Sequence, residues 1–479
     1  MNEDGQLQVA DGGSQNSAAQ PHPNPSVIII GAGIAGLAAA SALAPRGFGV
    51  TVLESRNRLG GRASSFTDAT TGQLVDACQH VSMGCCTNFA HFCHVTGIDH
   101  FLAPQPTLYF MTPDRRVSRF KADPLPAPFH LSRALLRAHY LTLGDKLRIA
   151  WGLLALRRAD PENDEPLLPW LRRHWQNDRT IERFWSVVLT SALNESIERL
   201  GLKYARKVFR DAFLAHRKGF EVSVPTVPLA RLYGDELQEW FAKHGVRIEM
   251  NAGVRQIVFN HSADGRETHV RGVELRDGRE LQADWYIATV PFDRLLDLLP
   301  IEIVERFECF RNLRQLEVSP ITSVHLRFDR PILDLPHVVL IDCLGQWVFN
   351  RGETASSEHY LQIVVSASRL LRSWGHEEIQ RRVVEELEQL FQAATSANLR
   401  RGRVVTEHSA TFSAVPGVDR SRPDQQSPIP NLLLAGDWTR TGWPATMEGA
   451  VRSGYLAAEC ILRQMGREKK LVQPDLGRK

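Results

Sequence analysis

The chain of 479 residues is long enough to bury a large core and to form two or three domains. Hydrophobic residues make up 43% and charged residues 23%, a balance that is typical of globular proteins and excludes a wholly disordered chain. The formal net charge of +3 gives no reason to expect nucleic acid as a partner. Seven cysteines do not predict a disulfide framework, so we expect a cytoplasmic location.

The first 25 residues are rich in Gly, Gln, Asn, Ser and Pro and lack the apolar stretch of a signal peptide. We expect residues 1–25 to form a disordered leader. No uncharged apolar run reaches the length of a bilayer span, so the sequence predicts no transmembrane helix.

A glycine motif follows the first apolar segment. Residues 27–30 are β-branched and predict a buried parallel strand, and residues 35–44 predict an alanine-rich helix. Between them stand Gly31, Gly33 and Gly36 in G-x-G-x-x-G spacing. This spacing allows a tight turn, close approach of a pyrophosphate to the backbone, and close packing of the helix on the strand.

The groups around this turn fit the rest of a dinucleotide. The helix N-terminus, with Ile34 and Ala35, would present unpaired N–H groups to the phosphates. A second apolar strand at 50–53 ends in Glu54, whose carboxylate can accept hydrogen bonds from both ribose hydroxyls. The sequence therefore predicts dinucleotide binding, against the alternative of a chance glycine turn.

A second glycine pair follows Glu54 at Gly60 and Gly61, with Arg62 directly after it. This pair would let another backbone segment approach the same pyrophosphate, and Arg62 would supply a fork of donors. The arrangement resembles the flavin-binding signature of the amine oxidase and phytoene desaturase superfamily. The resemblance implies FAD as the cofactor, and an α/β fold in which a Rossmann-like FAD-binding domain is interleaved with an α+β substrate domain and a helical cap.

Under this resemblance the chain passes between the two domains several times. The FAD-binding parts are expected at 26–100, 226–300 and 416–465, the helical cap with the first part of the substrate domain at 101–225, the second part at 301–415, and a basic tail at 466–479.

The C-terminal part of the chain carries a third motif. A strand is predicted to end at Gly436 and Asp437, and Asp437 would bind the ribityl or pyrophosphate part of the cofactor. A helix is predicted to begin near Met447, so that its N-terminus, with Glu448 and Ala450, would stabilise negative charge on the flavin. The two ends of the chain would thus form one split FAD site.

Three further features refine the cofactor prediction. The segment around Val254 resembles the part of the family whose backbone meets the adenine. Residues 442–449 lack the cysteine to which covalent flavin is usually attached, so the FAD is expected to be non-covalent. No second G-x-G-x-x-G occurs, so we expect no resident NAD(P)H domain and an external reductant, NAD(P)H.

The loop after residue 75 is a candidate for the reaction centre. Relatives carry D-x-G-x-H near the flavin ring, where this chain has Asp76, Cys78 and His80. The replacement of glycine by Cys78 puts the local backbone geometry in question. His80 is either an active-site residue or a hydrogen-bonded core histidine, and Gln79 beside it is a candidate substrate contact.

Two other groups of residues have competing interpretations. Asn194 and Glu195 form a polar pair in an apolar helical run, so they either line the cavity or end the helix. His80 and Glu195 are the two candidates for the catalytic acid. Asn194 and Trp443 are further candidate substrate contacts. A group of cysteines and histidines lies close together in the sequence: Cys78, Cys85, Cys86, Cys93, His80, His91 and His94. Because no C-x-x-C pair occurs among them, they do not predict a metal site.

The cap region has a distinct charge. Residues 115–218 contain 21 Lys and Arg against 11 Asp and Glu, a local balance of +10. Within them, residues 135–156 are strongly apolar with isolated cations. The preferred interpretation is a pair of buried helices, and the alternative is an interfacial surface that binds an anionic membrane. The two are compatible if one side of the helices lines an apolar tunnel and the other side meets the membrane. We expect peripheral association with the inner face of the membrane.

The substrate region contains one strand of note at 324–328, which alternates in polarity and is predicted to be half-buried.

Four segments are similar to the hydroxysqualene dehydroxylase family: Gln79 with His80, residues 105–128, Asn194, and residues 436–459. This resemblance implies a long-chain isoprenoid substrate and the replacement of an allylic hydroxyl of hydroxysqualene by hydride. The alternatives are a carotenoid desaturase, a flavin amine oxidase and a non-catalytic isoprenyl-binding escort protein.

Overall fold

The structure is a computed structural model that describes residues 24–68, 72–261, 268–354 and 357–477. Residues 1–23 of the predicted leader and residues 478 and 479 of the predicted basic tail lie outside the described residues. In the part of the chain that is described, no helix combines the length and apolar character needed to cross a bilayer.

The strands are numbered in chain order. They are β1 Ser26–Ile30, β2 Gly49–Leu53, β3 Ser65–Thr67, β4 Leu74–Asp76, β5 Ser82–Met83, β6 Leu102–Gln105, β7 Thr107–Met111, β8 Val117–Lys121, β9 Val222–Pro225, β10 Arg247–Glu249, β11 Val254–His261, β12 Thr268–Leu275, β13 Glu280–Leu281, β14 Trp285–Ala288, β15 Val318–Phe328, β16 His337–Leu340, β17 Trp347–Glu353, β18 His359–Ser366, β19 Leu399–Phe412 and β20 Leu432–Leu434.

The α-helices are numbered in the same way, and short 3-10 and π-helical turns adjoin several of them. They are α1 Ile34–Leu43, α2 Thr87–Val95, α3 Ser132–Arg137, α4 Leu143–Arg158, α5 Leu167–Arg173, α6 Asp178–Thr180, α7 Val187–Leu193, α8 Leu202–Val208, α9 Glu236–Lys243, α10 Phe292–Leu298, α11 Ile301–Arg306, α12 Glu308–Arg311, α13 His376–Leu390 and α14 Met447–Gln464.

A five-stranded parallel sheet forms the base of the site, in the order β10-β2-β1-β14-β20. Its central strand is β1, as the β-branched run at 27–30 predicts, and both faces of that strand are buried. Val27 and Ile29 pack on one side with helices α1 and α14, while Ile28 and Ile30 pack on the other. The strands come from three stretches of the chain that are far apart in sequence.

Helix α1 is buried at all ten of its residues and packs closely on α14. A Cβ added to Gly454 of α14 would lie 2.3 Å from the carbonyl oxygen of Ala35, so glycine is required for this contact. The two helices therefore hold the first and last parts of the chain together against one side of the parallel sheet.

The second large sheet has seven strands in the order β19-β15-β18-β17-β16-β7-β8. The prediction that 324–328 is half-buried is wrong, because both faces of β15 are covered. Val324 and Leu326 face a core that includes helix α13, while Ser323 and His325 are buried on the opposite face. The polar side of this strand therefore points into the protein, not into solvent.

The preferred interpretation of residues 135–156 holds for only one side of the helices. This segment forms α3 and α4, but only one side of α4 is buried. Leu143, Leu147 and Trp151 are 68%, 65% and 44% exposed. The cap therefore presents an apolar surface where the sequence favoured a buried helix pair.

Candidate functional site

The turn between β1 and α1 leaves space for a ligand beside Gly33 but has no space for a side chain at Gly36. Gly31 has φ +108, and its N–H donates to the carbonyl of Leu53 at 2.8 Å. A Cβ at Gly36 would lie 2.2 Å from the carbonyl oxygen of Gly31, whereas one at Gly33 would meet nothing within 4 Å. No side chain caps α1 at Gly33, so the helix N-terminus at Ile34 and Ala35 is open to an anionic group.

Glu54 is fixed directly beside this turn. Its carboxylate is almost wholly buried and accepts hydrogen bonds from the N–H of Ala32 at 3.0 Å and the N–H of Arg56 at 2.9 Å. The hydroxyl of Ser55 donates to the same carboxylate at 3.2 Å. A carboxylate has about four lone-pair positions, so acceptor capacity remains for a ribose hydroxyl.

The second glycine pair lies against the first glycine motif. The N–H of Gly60 donates to the carbonyl of Ala32 at 2.9 Å. Gly60 and Gly61 have φ +90 and +61, and a Cβ on Gly61 would lie 3.0 Å from the Cα of Gly33. The structure thus brings two glycine segments to one place, where both backbones can approach the same ligand.

Arg62 joins the N-terminal and C-terminal parts of the site. Its guanidinium forms an ion pair with Asp437 and donates to the carbonyl of Ala410 at 2.7 Å. Burial acts to lower the pKa of Arg62, but the neighbouring carboxylate of Asp437 outweighs it and the pKa is raised. About a third of the Arg62 side chain (35%) stays accessible to a ligand.

The segment before α14 places backbone groups toward the same region. Gly436 has φ +139, and its N–H donates to the hydroxyl of Ser453 at 2.8 Å. Thr446 caps α14 by accepting from the N–H of Gly449 at 3.0 Å. The backbone N–H groups of Met447 and Glu448 are the first of the helix, where negative charge is stabilised.

The side chain of Glu448 serves a different purpose from its backbone. The carboxylate is buried and accepts from Asn88 and from the N–H of Phe89, both at 2.8 Å. Arg452 donates to it as well, at 2.8 Å. The predicted cofactor contact of Glu448 is therefore confined to its backbone. Ala450 is the fourth residue of the helix, and its N–H already donates to the carbonyl of Thr446 at 2.9 Å.

Val254 begins β11 beside the segment that follows β2. The preceding residues tie the two together, because the N–H of Ala252 donates to the carbonyl of Glu54 at 2.8 Å. The N–H of Asn251 donates to the carbonyl of Arg56 at 3.1 Å. Val254 thus lies on the ribose side of the site, where an adenine would follow from the position of Glu54.

The loop after β4 is held by buried charges. Asp76 accepts from the hydroxyl of Ser65 at 2.6 Å, from the N–H of Leu229 at 3.0 Å and from Arg351 at 3.2 Å. Arg351 also donates to the side-chain oxygen of Gln79 at 2.5 Å. Gln79 is therefore engaged with the protein through its oxygen, which limits its role as a substrate contact.

His80 lies on this loop and is partly accessible. Its Nδ1 is 3.0 Å from the carbonyl oxygen of Cys78. Because a carbonyl only accepts, Nδ1 carries the proton and Nε2 is left as an acceptor. Burial lowers the pKa of His80, and the charge of Arg62 lowers it further, which shows that His80 lies within electrostatic reach of the proposed cofactor residues.

Asn194 and Glu195 belong to a helix end and not to an open cavity. Asn194 follows α7 with φ +50, and its amide donates to the carbonyl of Ser319 at 3.1 Å and to Thr411 at 2.9 Å. Its oxygen accepts from the N–H of Ala367 at 2.7 Å. These bonds use the polar atoms of Asn194, so the geometry does not support it as a substrate contact.

Glu195 is fully buried in an ion pair with Arg369, whose Nη2 lies 2.8 Å from the carboxylate. Burial acts to raise the pKa of Glu195, but hydrogen bonds from Arg369 and other groups outweigh it and the pKa is lowered. A carboxyl group held in its ionised form does not donate a proton near neutral pH, so the suggestion of Glu195 as the acid is corrected.

Trp443 is buried in a small cluster with Cys85 and Ala212. The ammonium of Lys207 lies 4.3 Å and the guanidinium of Arg452 5.3 Å from the centroids of its rings. Cation–π contacts of this kind stabilise the packing of the loop. These contacts give Trp443 a packing role.

Sequence reasoning missed three buried or half-buried arginines that hold the site together. Arg351 fixes the Asp76 loop and Arg369 neutralises Glu195. Arg422 is fully buried and donates to the carbonyls of Asp437 and Trp443, both at 3.0 Å. None of the three belongs to a spaced motif, and only their partners in the fold reveal their roles.

The cysteines and histidines after β4 were considered as metal ligands. Within the described ranges, no group of three or more His, Cys, Asp and Glu side chains is placed to hold an ion. The seven cysteines are all free thiols, and burial raises the pKa of Cys78 to about 12, which keeps that thiol protonated.

The fit of this site to a dinucleotide rests on its own geometry. Open space at Gly33, an uncapped helix N-terminus, the carboxylate of Glu54 and the accessible part of Arg62 lie around one turn. These groups suit a pyrophosphate flanked by a ribose, and a bound flavin would supply the redox chemistry that amino-acid side chains lack. The fold and the site together define a flavin-dependent oxidoreductase.

Comparison with known proteins identifies the family. Residues 34–462 match the flavin containing amine oxidoreductases, and the chain belongs to that family. It is 28% identical over 476 residues to 15-cis-phytoene desaturase of Synechococcus elongatus, covering 94% of this chain and 98% of that protein. It is 27% identical over 481 residues to the zeta-carotene desaturase of Arabidopsis thaliana, covering 92% and 85%.

A solved structure shares the fold. An oxidoreductase from Methanosarcina mazei matches with a TM-score of 0.69 at 15% identity, over 91% of this chain and 100% of that one. At this low identity the likeness concerns the α/β architecture alone.

Proposed function

We propose that this flavoprotein reduces an allylic alcohol of a long isoprenoid, and that its reaction is the conversion of hydroxysqualene to squalene. The observation that carries the proposal is the placement of one partly accessible histidine, His80, beside the apolar cluster of Cys78, Phe349 and Val364, on a loop that Arg351 holds through Asp76. Such a setting suits a hydrocarbon that bears a single hydroxyl group. The likeness of residues 436–459 to hydroxysqualene dehydroxylases supports the same substrate.

In this proposal the substrate lies against an apolar wall formed by the loop and the neighbouring sheet. Cys78 packs with Phe349 and Val364, and Val81 and Trp347 lie against this cluster. The rings of Trp347 and Phe349 are stacked, with centroids 5.4 Å apart and planes at 11°. Burying each methylene of an isoprenoid here is worth about 0.8 kcal/mol, which would bind a hydrocarbon far better than an amine or a sugar.

In the proposed reaction the allylic C–O bond breaks, the oxygen leaves as water after taking up one proton, and the carbon gains a hydride from the reduced cofactor, which becomes oxidised. The protein must hold the carbon in place and keep other water away. The reductant that restores the cofactor is external in this proposal, and NAD(P)H is the compound we propose.

His80 is the group proposed to handle the proton. With Nδ1 bonded to Cys78, its Nε2 can accept a hydrogen bond from the substrate hydroxyl and orient it. When protonated, the same nitrogen donates to the departing oxygen. Because burial lowers its pKa, the protonated form is a minor species at neutral pH, and the proton step should become faster as the pH falls.

A carotenoid desaturase is the second candidate, and its support is the identity of the chain to phytoene and zeta-carotene desaturases. Such an enzyme would use the same apolar wall, but hydride would pass from substrate to oxidised cofactor. No proton donor for a leaving group would then be needed.

An anaerobic single-turnover experiment distinguishes the two directions. Reduced protein mixed with hydroxysqualene should regain the absorbance of oxidised flavin and yield one equivalent of squalene. Oxidised protein mixed with phytoene should keep its absorbance. Bleaching by phytoene, with no reaction of the reduced protein with hydroxysqualene, would establish the desaturase and refute the proposal; bleaching by an amine would refute both.

A further inference from the structure

The exposed apolar side chains of this protein are concentrated in the cap. Of the thirteen large apolar side chains that are exposed in the described part of the chain, eight lie between residues 125 and 175. Six of them form what we call the apolar face: Leu136, Leu143, Leu147, Trp151, Leu154 and Trp175. Scattered single residues of this kind are ordinary, but a cluster marks an interaction site.

Helix α4 supplies most of this face. Leu143, Leu147, Trp151 and Leu154 recur at helical spacing along one side of it, and the side chains that α4 buries, such as Ile149, lie on the opposite side. The helix is therefore apolar on both sides. The inner side is covered by the protein, while the outer side is not covered by any described residue.

Two contacts extend the face beyond α4. Lys146 donates to the carbonyl of Leu136 at 2.7 Å, which holds α3 beside α4. The rings of Trp151 and Trp175 are stacked with centroids 5.6 Å apart and planes at 20°. The six residues thus form one continuous surface from three segments of the cap.

Trp175 is held in an unfavourable position. It has φ +62, in the left-handed region that bulky residues avoid, and its side chain is 70% exposed. The next residue, Gln176, fixes the loop by donating to the carbonyl of Arg148 at 2.7 Å and accepting from Trp185 at 2.8 Å. An anchored loop that presents a strained, exposed tryptophan supports a functional role for that side chain.

Positive charge surrounds the apolar face. Arg137, Arg148, Arg157 and Arg158 are exposed, and none of them pairs with a carboxylate among the residues that the structure describes. Helix α4 has one acidic residue, Asp145, and it is buried at the helix N-terminus. A second copy of the chain docked on this face would bring like charges together, which disfavours self-association.

We infer that the apolar face is a docking surface for an anionic lipid bilayer. The leucines and the two tryptophans would enter the headgroup boundary, where aromatic rings with one polar edge are favoured. The unpaired arginines would lie against anionic headgroups. This inference does not depend on the reaction proposed above, although a substrate dissolved in a bilayer would then lie next to the cap.

Vesicle sedimentation with the full-length holoprotein tests the inference. The protein should bind vesicles of phosphatidylcholine with phosphatidylglycerol more tightly than vesicles of phosphatidylcholine alone, and added salt should weaken the difference. The double variant Leu147→Ser, Trp151→Ser should bind at least about tenfold more weakly. Arg157→Ser with Arg158→Ser should lose several-fold, and mainly the preference for anionic vesicles.

A matched control comes from outside the face. Leu370 is 84% exposed and isolated, so Leu370→Ser removes the same kind of side chain without touching the cap. Its vesicle binding should be unchanged, and circular dichroism should show that all variants are folded. Absence of binding by the wild-type protein, or an equal loss in Leu370→Ser, would overturn the inference.

Two further readouts separate the bilayer from a protein partner. Brominated lipids should quench tryptophan fluorescence in the wild-type protein, and Trp151→Phe with Trp175→Phe should remove most of that quenching. Quenching that persists in this variant would show that the face is not inserted. If light scattering shows that the wild-type protein is a dimer and that the variant Leu147→Ser, Trp151→Ser is a monomer, the face binds a second copy of the chain and the inference is overturned.

Discussion

The turn between β1 and α1 and the loop between β4 and β5 contribute to the same candidate site but are held in different ways. The turn is fixed by its own backbone: Gly36 is there because no Cβ fits against Gly31. The loop is fixed by side chains from far along the chain, since Arg351 bonds Asp76 and Gln79. The first can be read from spacing alone, whereas the second requires the fold.

The largest expected effect concerns the buried pair of Glu195 and Arg369, which like the loop depends on distant partners. Glu195→Ala leaves Arg369 without its carboxylate and should cost about 3–5 kcal/mol of unfolding free energy, measured by urea titration. The exposed pair of Glu385 and Arg381 is the control, because Glu385→Ala should cost about 1 kcal/mol or less. Equal losses of unfolding free energy in the two variants would show that the buried pair stabilises the fold no more than an exposed pair does.

The same pair predicts a pH dependence. Since the pKa of Glu195 is lower in the folded protein than its usual 4.5, its contribution to stability is present above that value. The contribution is lost as the pH falls through the lower, folded pKa. The difference in unfolding free energy between the wild type and Glu195→Gln should therefore shrink only in acid; a difference that shrinks toward alkaline pH would contradict this assignment.

The next effect tests the turn. Gly36→Ala would place a Cβ 2.2 Å from the carbonyl oxygen of Gly31 and 2.8 Å from the hydroxyl of Thr289, so the packing of α1 on β1 must open. We expect a loss of about 3 kcal/mol in stability and a fall in flavin content. Gly234→Ala is the control, because a Cβ there meets nothing within 4 Å and should leave both measurements unchanged.

A smaller effect is confined to cofactor affinity. Glu54→Ala should weaken FAD binding by about 1.5–3 kcal/mol, the range for hydrogen bonds to a charged group. Titration of the apoprotein with FAD measures it, and the melting temperature of the apoprotein separates lost affinity from lost folding. An unchanged dissociation constant would remove the ribose assignment, and flavin that stays attached after acid denaturation would refute non-covalent binding.

The smallest expected effect falls on the reaction. The folded pKa of His80 lies below its usual 6.5, so the single-turnover rate should rise as the pH is lowered from about 8 toward that pKa. His80→Gln keeps a hydrogen-bonding side chain but cannot supply this proton. It should lose about tenfold in rate at the acidic end and show a flat profile; a profile identical to that of the wild type would exclude His80 as the proton donor.

The sequence was informative where a requirement is local. The strand at 27–30 forms as predicted, and the three glycines, Glu54 and the pair Gly60-Gly61 lie together around one turn, since the turn itself depends on backbone sterics within a few residues.

The sequence misled where burial depends on the rest of the fold. Alternation in 324–328 indicated one solvent face, yet His325 and the neighbouring Ser323 are buried. Apolar residues in 135–156 indicated a pair of buried helices, yet Leu143, Leu147 and Trp151 are exposed. In both cases the pattern gave the right element, and the partner that covers each face lies elsewhere in the chain.

The strand order of the parallel sheet constrains how this protein is made in a cell. Strand β1 emerges first from the ribosome but is completed only by β14, and β14 in turn by β20 near residue 432. Arg62 likewise waits for Asp437. A nascent chain must therefore leave one edge of β1 unpaired until β14 is made, and loading of the nucleotide becomes a late event that follows translation of Asp437.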